Sequence, residues 1–282
     1  PIGWVQNSNS APWYMTQPFL DPTRYPAYFS PGWRDPLGAL SQREQSGLRM
    51  LTQDAKLSYE QMLADKYSTR SELAGHILND LISAAKQSGD ATAQLAAATL
   101  EKWDRETNAD SKGALLFFTW TQAIQQQFQG DFFAEPFNPK RPLDTPSGLK
   151  DPKAAVAALI AAARQLKERG LPLDAMWGRV NHLHRGKYDF PGNGGSDFPW
   201  VLRGLGIFRN IAYAPAKDGH FDSIGGDSFV AALEFSSPLK ARVLMTYGNT
   251  SDPGSPHFGD QIPLAARKEW RQPWRTRAEI EQ

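Results

Sequence analysis

The sequence predicts an α+β chain on three patterns. A long middle repeats apolar residues at helical spacing, the closing third holds two short β-rich runs, and the first residues are extended, polar and aperiodic. Residues 1–36 read as an edge strand and an aromatic loop, 37–172 as a helical region, and 173–282 as closing strands with a last helix. These are regions of one fold, not independent domains.

The start, Pro1-Ile-Gly-Trp-Val-Gln-Asn7-Ser-Asn9-Ser-Ala-Pro12, favours extended backbone at Trp4 and Val5, then breaks into an amide- and hydroxyl-rich corner. Asn and Ser capture their own backbone in turns, which makes the corner a surface loop. A carboxamide is also a neutral, strong N–H donor, the kind of group that can hold an oxyanion. Beyond Pro12, the rings of Trp13, Tyr14, Phe19, Tyr25, Tyr28, Phe29 and Trp33 alternate with Pro18, Pro22, Pro26, Pro31 and Pro36. Those prolines exclude a helix and predict a long loop packed by its rings.

From Leu37 the spacing turns helical. Leu40, Leu48, Met50 and Leu51 line one side, flanked by Arg43 and Arg49. Ser58 with Gln61, and Thr69 with Glu72, have the spacing of capping boxes and predict two helix starts. Leu73, Ile77, Leu78, Leu81 and Ile82 form an apolar stripe. Gly89-Asp90 ends one helix and caps the next, which runs to Trp103-Asp104, and another follows over about 113–128. After a linker at 130–149, Asp151-Pro152 is an N-cap with a first-turn proline, opening an Ala-rich helix that Gly170 ends.

In the closing third, Trp177–Arg185 leads into a glycine-rich turn at Phe190–Gly195. Phe229–Phe235 and Ala241–Tyr247 read as strands, and a last helix over about 258–270 precedes a basic aromatic tail. Two strands are too few for a stable sheet, which predicts partner strands contributed from outside this sequence.

Composition narrows the chemistry. A net charge of +1 supplies no field for nucleic acid or an anionic membrane surface. The absence of cysteine excludes disulfides, a thiolate nucleophile and Cys-ligated zinc. No apolar run approaches the roughly 20 residues of a membrane helix, and no signal peptide opens the chain. On a strand, His182 and His184 would present both rings to one face near Asp189, but a third metal ligand at recognisable spacing is lacking, so they read as structural or surface histidines. His257 near Asp260 has no Gly-x-Ser-x-Gly elbow to serve, and the glycine pairs lack the strand–loop–helix context of phosphate binding.

The run Gly3-Trp-Val-Gln-Asn7-Ser-Asn9-Ser-Ala-Pro12 resembles the Gly-x-x-x-Asn-x-Asn-x-x-Pro motif in the β chain of the penicillin acylase and acyl-homoserine-lactone acylase family of N-terminal-nucleophile hydrolases. Tyr247–Gln261 is similar to that family's closing segment. The resemblance implies the C-terminal part of a β chain within a four-layer αββα fold, and an acylase that splits an acyl group from an amine core such as a homoserine lactone or a β-lactam nucleus. It implies Asn9 as the oxyanion-hole side chain. By register from Arg49-Met50-Leu51, it implies Arg43 as the arginine supporting that Asn. Trp4 and Trp13 are implied on the substrate side, and Asp21 as a ligand of a structural calcium, with no cofactor required.

The same resemblance implies an N-terminal Ser nucleophile outside this sequence. The partners would then be the α chain and the N-terminal part of the β chain of the same precursor, the substrate a small acylated amide, and the compartment periplasmic or extracellular. The rival readings are a non-catalytic helical interaction module descended from the family, and a catalytic Pro1 amine as in the much shorter tautomerases.

Overall fold

The computed structural model describes residues 3–9, 11–26, 28, 40–53, 56–127, 132–196, 202 and 204–281. Pro1, the later loop aromatics Phe29 and Trp33, and the expected helix limits at Leu37 and Phe128 lie outside them.

Among the described residues, six helices fill the middle of the chain: α1 Gln42–Gln53, α2 Tyr59–Lys66, α3 Glu72–Gln87, α4 Ala91–Glu101, α5 Ala114–Gln127 and α6 Pro152–Glu168. Their starts are made locally. Ser58 accepts from Gln61 N, Asp90 from Ala93 N and Asp151 from Ala154 N, each satisfying an N–H that the helix itself cannot. Gly89 takes φ 73° between α3 and α4, a turn that favours a residue without Cβ.

One expected start is displaced. Ser71, not Thr69, caps α3, accepting from Ala74 N. The Thr69 hydroxyl donates instead to Asn108 Oδ1 at 2.8 Å, and Glu72 turns away to Arg49.

The apolar stripes of α3–α6 meet in one core. Leu73, Ile77, Leu81, Leu100, Leu116, Phe117, Trp120, Leu159 and Leu166 are each almost fully buried there. Two short strands in the expected linker, β1 Phe133–Glu135 and β2 Ser147–Leu149, pair antiparallel at its margin.

The closing third is richer in sheet than the two predicted strands. β3 Asn181–Arg185, β4 Tyr188–Pro191, β5 Ile211–Pro215 and β6 Phe221–Gly226 form a four-stranded sheet in the order β4-β3-β6-β5. Only β3 and β6 run parallel. Phe190 and Pro191, expected in a glycine-rich turn, belong to β4, and the chain reverses earlier, at Gly186-Lys187. The run Asn-His-Leu-His-Arg of β3 has a single aliphatic residue, Leu183, so it carries little of the aliphatic signal that betrays a strand.

The predicted pair, β7 Phe229–Glu234 and β8 Lys240–Met245, forms an antiparallel hairpin. Among the described residues no third strand joins it, and Phe229 and Leu233 stand exposed on its outer face. The last helix is far shorter than expected. α7 spans Ile262–Ala266, with Pro263 in its first turn and Lys268 at φ 58° beyond its end. Thr276 and Glu279 make a capping box for α8, Arg277–Ile280, in the exposed tail. Residues 3–9, expected as an edge strand, show no sheet pairing among the described residues.

Candidate active site

α1 positions the site, and polar contacts hold much of it. Leu40 and Leu48 enter a small apolar cluster with Ala11, Trp13, Tyr14 and Phe137. The other buried residues of α1 are Gln42, Glu44, Gln45, Ser46 and Gly47. Gln45 Nε2 donates to the carbonyls of Pro142 and Thr145 at 2.6 Å each. Arg49 donates to Glu72 through Nε at 2.9 Å and Nη2 at 2.5 Å, and to Leu143 O at 2.7 Å. Burial alone would raise the Glu72 carboxyl, but His76 at 3.4 Å and the Arg49 guanidinium outweigh it and hold it below the ordinary carboxylate value.

Helix α1 meets the loop at Gln6–Asn9 through its first turn. Gln6 lies against Gly47, where a Cβ would take the place of its side-chain amide. Asn7 Oδ1 accepts from Asn9 N at 2.9 Å, an Asx turn. Asn9 itself sits at φ 68°, a left-handed conformation that Asn adopts more readily than most residues.

The Arg43 Nη2 group donates to Ser8 O at 3.0 Å and to Asn9 Oδ1 at 2.7 Å. A guanidinium has no acceptor, so it can meet only the oxygen of the carboxamide. The side chain's flip is thereby fixed: Oδ1 faces Arg43 and the Nδ2 amide is the end left to serve an incoming acceptor. Asn9 is exposed, which leaves that end open to a ligand.

The other expected residues are placed as follows. Trp4 is half-buried and Trp13 is 3% exposed, both in or against the cluster beneath the loop. Asp21 caps a short 3-10 turn, with Oδ1 accepting from Thr23 N at 2.9 Å and Thr23 Oγ1 at 2.7 Å. Those bonds hold its carboxyl below the usual range. Among the described residues no group of three or more His, Cys, Asp or Glu side chains could hold a metal ion, so they do not by themselves make a calcium site.

His182 and His184 are engaged by carboxylates. His182 Nδ1 lies 2.6 Å from Asp189 and stacks on His220 at 4.1 Å, and His184 Nδ1 lies 2.9 Å from Asp222. Near the other end, Gln261 Oε1 accepts from Met245 N at 3.0 Å and Arg185 stacks on Phe258 at 4.5 Å. His257, paired with Asp260 at 2.9 Å, belongs to this packing segment. Sequence reasoning missed Glu44 and the Arg49–Glu72 pair, because an acidic residue in a helix's first turn is ordinary and its distant partner leaves no local mark.

Residues 1–282 match the family model described as penicillin amidase. The acyl-homoserine lactone acylase PvdQ of Pseudomonas fluorescens is 29% identical over 278 residues, covering 95% of this chain and 34% of that protein. Aculeacin-A acylase of Actinoplanes utahensis is 27% identical over 221 residues, 72% of this chain and 26% of that protein. A solved thermostable penicillin G acylase from Alcaligenes faecalis superposes with a TM-score of 0.49 and 17% identity, covering 100% of this chain and 55% of that one. The chain spans about a third of the length of the PvdQ relatives, 34% in the first comparison.

Proposed function

Because this chain belongs to the penicillin amidase family, we propose that it forms part of an acylase, in which Asn9 donates the oxyanion-hole hydrogen bond and Arg43 holds and polarises Asn9. The reaction is hydrolysis of an amide joining an acyl group to an amine core. A Ser hydroxyl on polypeptide outside this sequence attacks the carbonyl carbon, and that residue's own α-amine takes the proton. As the tetrahedral intermediate forms, the carbonyl oxygen becomes an anion and accepts from Asn9 Nδ2–H.

The observation that carries this reading is the 2.7 Å bond from Arg43 to Asn9 Oδ1. It orients the carboxamide before any substrate arrives, and a cation on Oδ1 draws electron density away and strengthens the N–H at the other end. The site thus gains a stronger donor without placing a formal charge on the oxyanion.

For the core we favour a homoserine lactone over a β-lactam nucleus, supported by the names of the PvdQ relatives. Trp4 lies on the substrate side with Trp13 behind it. The chain is read as one portion of a four-layer αββα assembly, completed by an α chain and the preceding part of a β chain, in the periplasm or outside the cell. Asp21 serves as one oxygen ligand of a structural calcium whose other ligands lie elsewhere, and no step of the reaction passes through it.

The test is Asn9→Ala in the full-length enzyme. Losing one oxyanion donor costs on the order of 2.7–4 kcal/mol of barrier, about a hundred- to a thousandfold in turnover. Turnover of an acyl-homoserine lactone and of a penicillin should fall by that much in an enzyme that still folds, and Asn7→Ala should fall less. Full turnover in Asn9→Ala would reduce Asn9 to a turn residue.

A further inference from the structure

We propose that Glu44 is a positioning residue for the oxyanion loop, acting through Ser8 on Asn9; this rests on the role given to Asn9 above. Glu44 is 0% exposed. A carboxylate is rarely buried so completely unless it is paired or hydrogen-bonded, because losing its hydration is costly. Here Oε2 accepts from the Ser8 backbone N–H at 2.9 Å. The backbone of Glu44 is committed as well. Its N–H donates to Ser41 Oγ at 3.1 Å, the capping bond of α1, and its carbonyl accepts from Gln6 Nε2 at 3.2 Å.

Its neighbour completes a clamp. Arg43 Nη2 donates to Ser8 O at 3.0 Å while Glu44 takes Ser8 N–H, so consecutive helix residues of opposite charge grip the donor and the acceptor of one loop residue. Ser8 is 7% exposed, so water is a poor substitute for either bond. With its N–H and C=O both held, Ser8 has little freedom to rotate, and this fixes where the chain enters Asn9.

That entry matters because Asn9 lies at φ 68°, a region that costs free energy for a residue with a Cβ. Without the Glu44 carboxylate, Ser8 N–H must turn to find another acceptor. Asn9 can then relax to negative φ, carrying its carboxamide away from the place where the anion forms. A displacement of about 1 Å at a catalytic group is enough for a loss of roughly a hundredfold. Glu44 touches no substrate, so its effect belongs in kcat rather than KM.

The experiment is a double-mutant cycle in the full-length enzyme, read as kcat and KM on an acyl-homoserine lactone. Glu44→Ala alone should lower kcat about ten- to a hundredfold with KM within about twofold. Glu44→Gln keeps an acceptor for Ser8 N–H and should retain most of kcat. In the Asn9→Ala background, Glu44→Ala should cost less than about a further twofold, because residues acting through one group are not additive. Should Glu44→Ala fail to fold, the same cycle is run with Glu44→Gln, whose smaller loss must likewise vanish beside Asn9→Ala. Losses that add in the two backgrounds, or that appear in KM, overturn the positioning role of Glu44 and leave Asn9 as assigned. An Asn9→Ala enzyme with parental kcat instead overturns the reading on which the proposal rests.

Discussion

The α3–α6 bundle and the loop seated on α1 are held by different forces. In the bundle, Leu73, Leu81, Trp120 and Leu159 are buried against one another, and stability comes from apolar area spread over many side chains. On α1 the buried residues include Gln42, Glu44, Gln45 and Ser46, and order depends on single polar contacts such as Arg43 to Asn9 and Glu44 to Ser8. A distributed core tolerates small errors and loses stability in proportion to what is removed. A polar clamp keeps its neighbours in place or releases them, so its loss appears as misplacement at the site.

The sharpest way to break this contrast is Trp120→Ala. Trp120 is 0% exposed, stacks on Phe117 at 5.4 Å and donates from Nε1 to Ala155 O at 2.9 Å. Truncation leaves a large cavity and should cost about 3–5 kcal/mol in denaturant unfolding, while kcat and KM of the enzyme that remains folded stay parental. A lower kcat at unchanged stability would mean the bundle and the site are not separable.

Arg49→Ala probes the seam between the two regions. It strands Glu72, 3% exposed, without its cation, and Arg49 is itself 32% exposed, which puts the cost near about 3 kcal/mol, the lower end for a broken buried pair. The pH dependence has a definite sign. Glu72 has its folded pKa depressed, so its contribution is present above the unfolded carboxyl value and fades as pH falls through the folded one. Arg49→Ala should therefore flatten the acid limb of a melting-temperature profile, and an unchanged limb would remove Glu72 from the account.

Arg43→Lys should cost less and leave stability alone. A lysine keeps the charge but replaces a rigid planar fork with a flexible point donor, so Ser8 O and Asn9 Oδ1 are no longer held together. A loss of roughly tenfold in kcat is expected, about 1.4 kcal/mol. Parental kcat would show that charge alone suffices at this position.

The same contrast explains what was legible in the sequence. Ser58, Asp90 and Asp151 cap helices within three residues of themselves, so their role can be read from spacing. The stripe from Leu73 to Leu81 announces its buried face by period alone. A motif marked Asn9 as a candidate and a register counted from Arg49 marked Arg43, and the contact between the two is the part the structure contains. Glu44 was not, because its partner lies 36 positions away and nothing local distinguishes it from a solvated helix-start glutamate. Thr69 was misread as a cap because Asn108, far along the chain, competes for its hydroxyl. The β3–β6 sheet escaped because its strands are short and carry His, Asp and Gly where a strand signal needs β-branched residues.

The smallest expected effect lies in the four-stranded sheet, at His184 on β3. Its Nδ1 stands 2.9 Å from Asp222 Oδ2 and its Nε2 3.1 Å from Gly186 O. A carbonyl can only accept, and an ionised carboxylate likewise, so only the doubly protonated ring satisfies both neighbours. Its pKa is accordingly raised, chiefly by the hydrogen bond to Asp222. A raised folded pKa means that the stabilisation is fully present below the unfolded histidine value and is lost as pH rises through the folded one. The side chains of His184 and Asp222 are 39% and 31% exposed, so solvent screens the pair and its worth stays under about 1 kcal/mol. Asp222→Asn should lower the His184 pKa in an NMR titration and narrow the melting-temperature difference between mildly acidic and mildly alkaline buffer. It should leave turnover unchanged, because the hydrogen-bond partners of the His184 ring are Asp222 and Gly186, neither of which belongs to the Gln6–Asn9 loop or to α1. A titration that does not move would show that Asp222 does not hold the proton on His184.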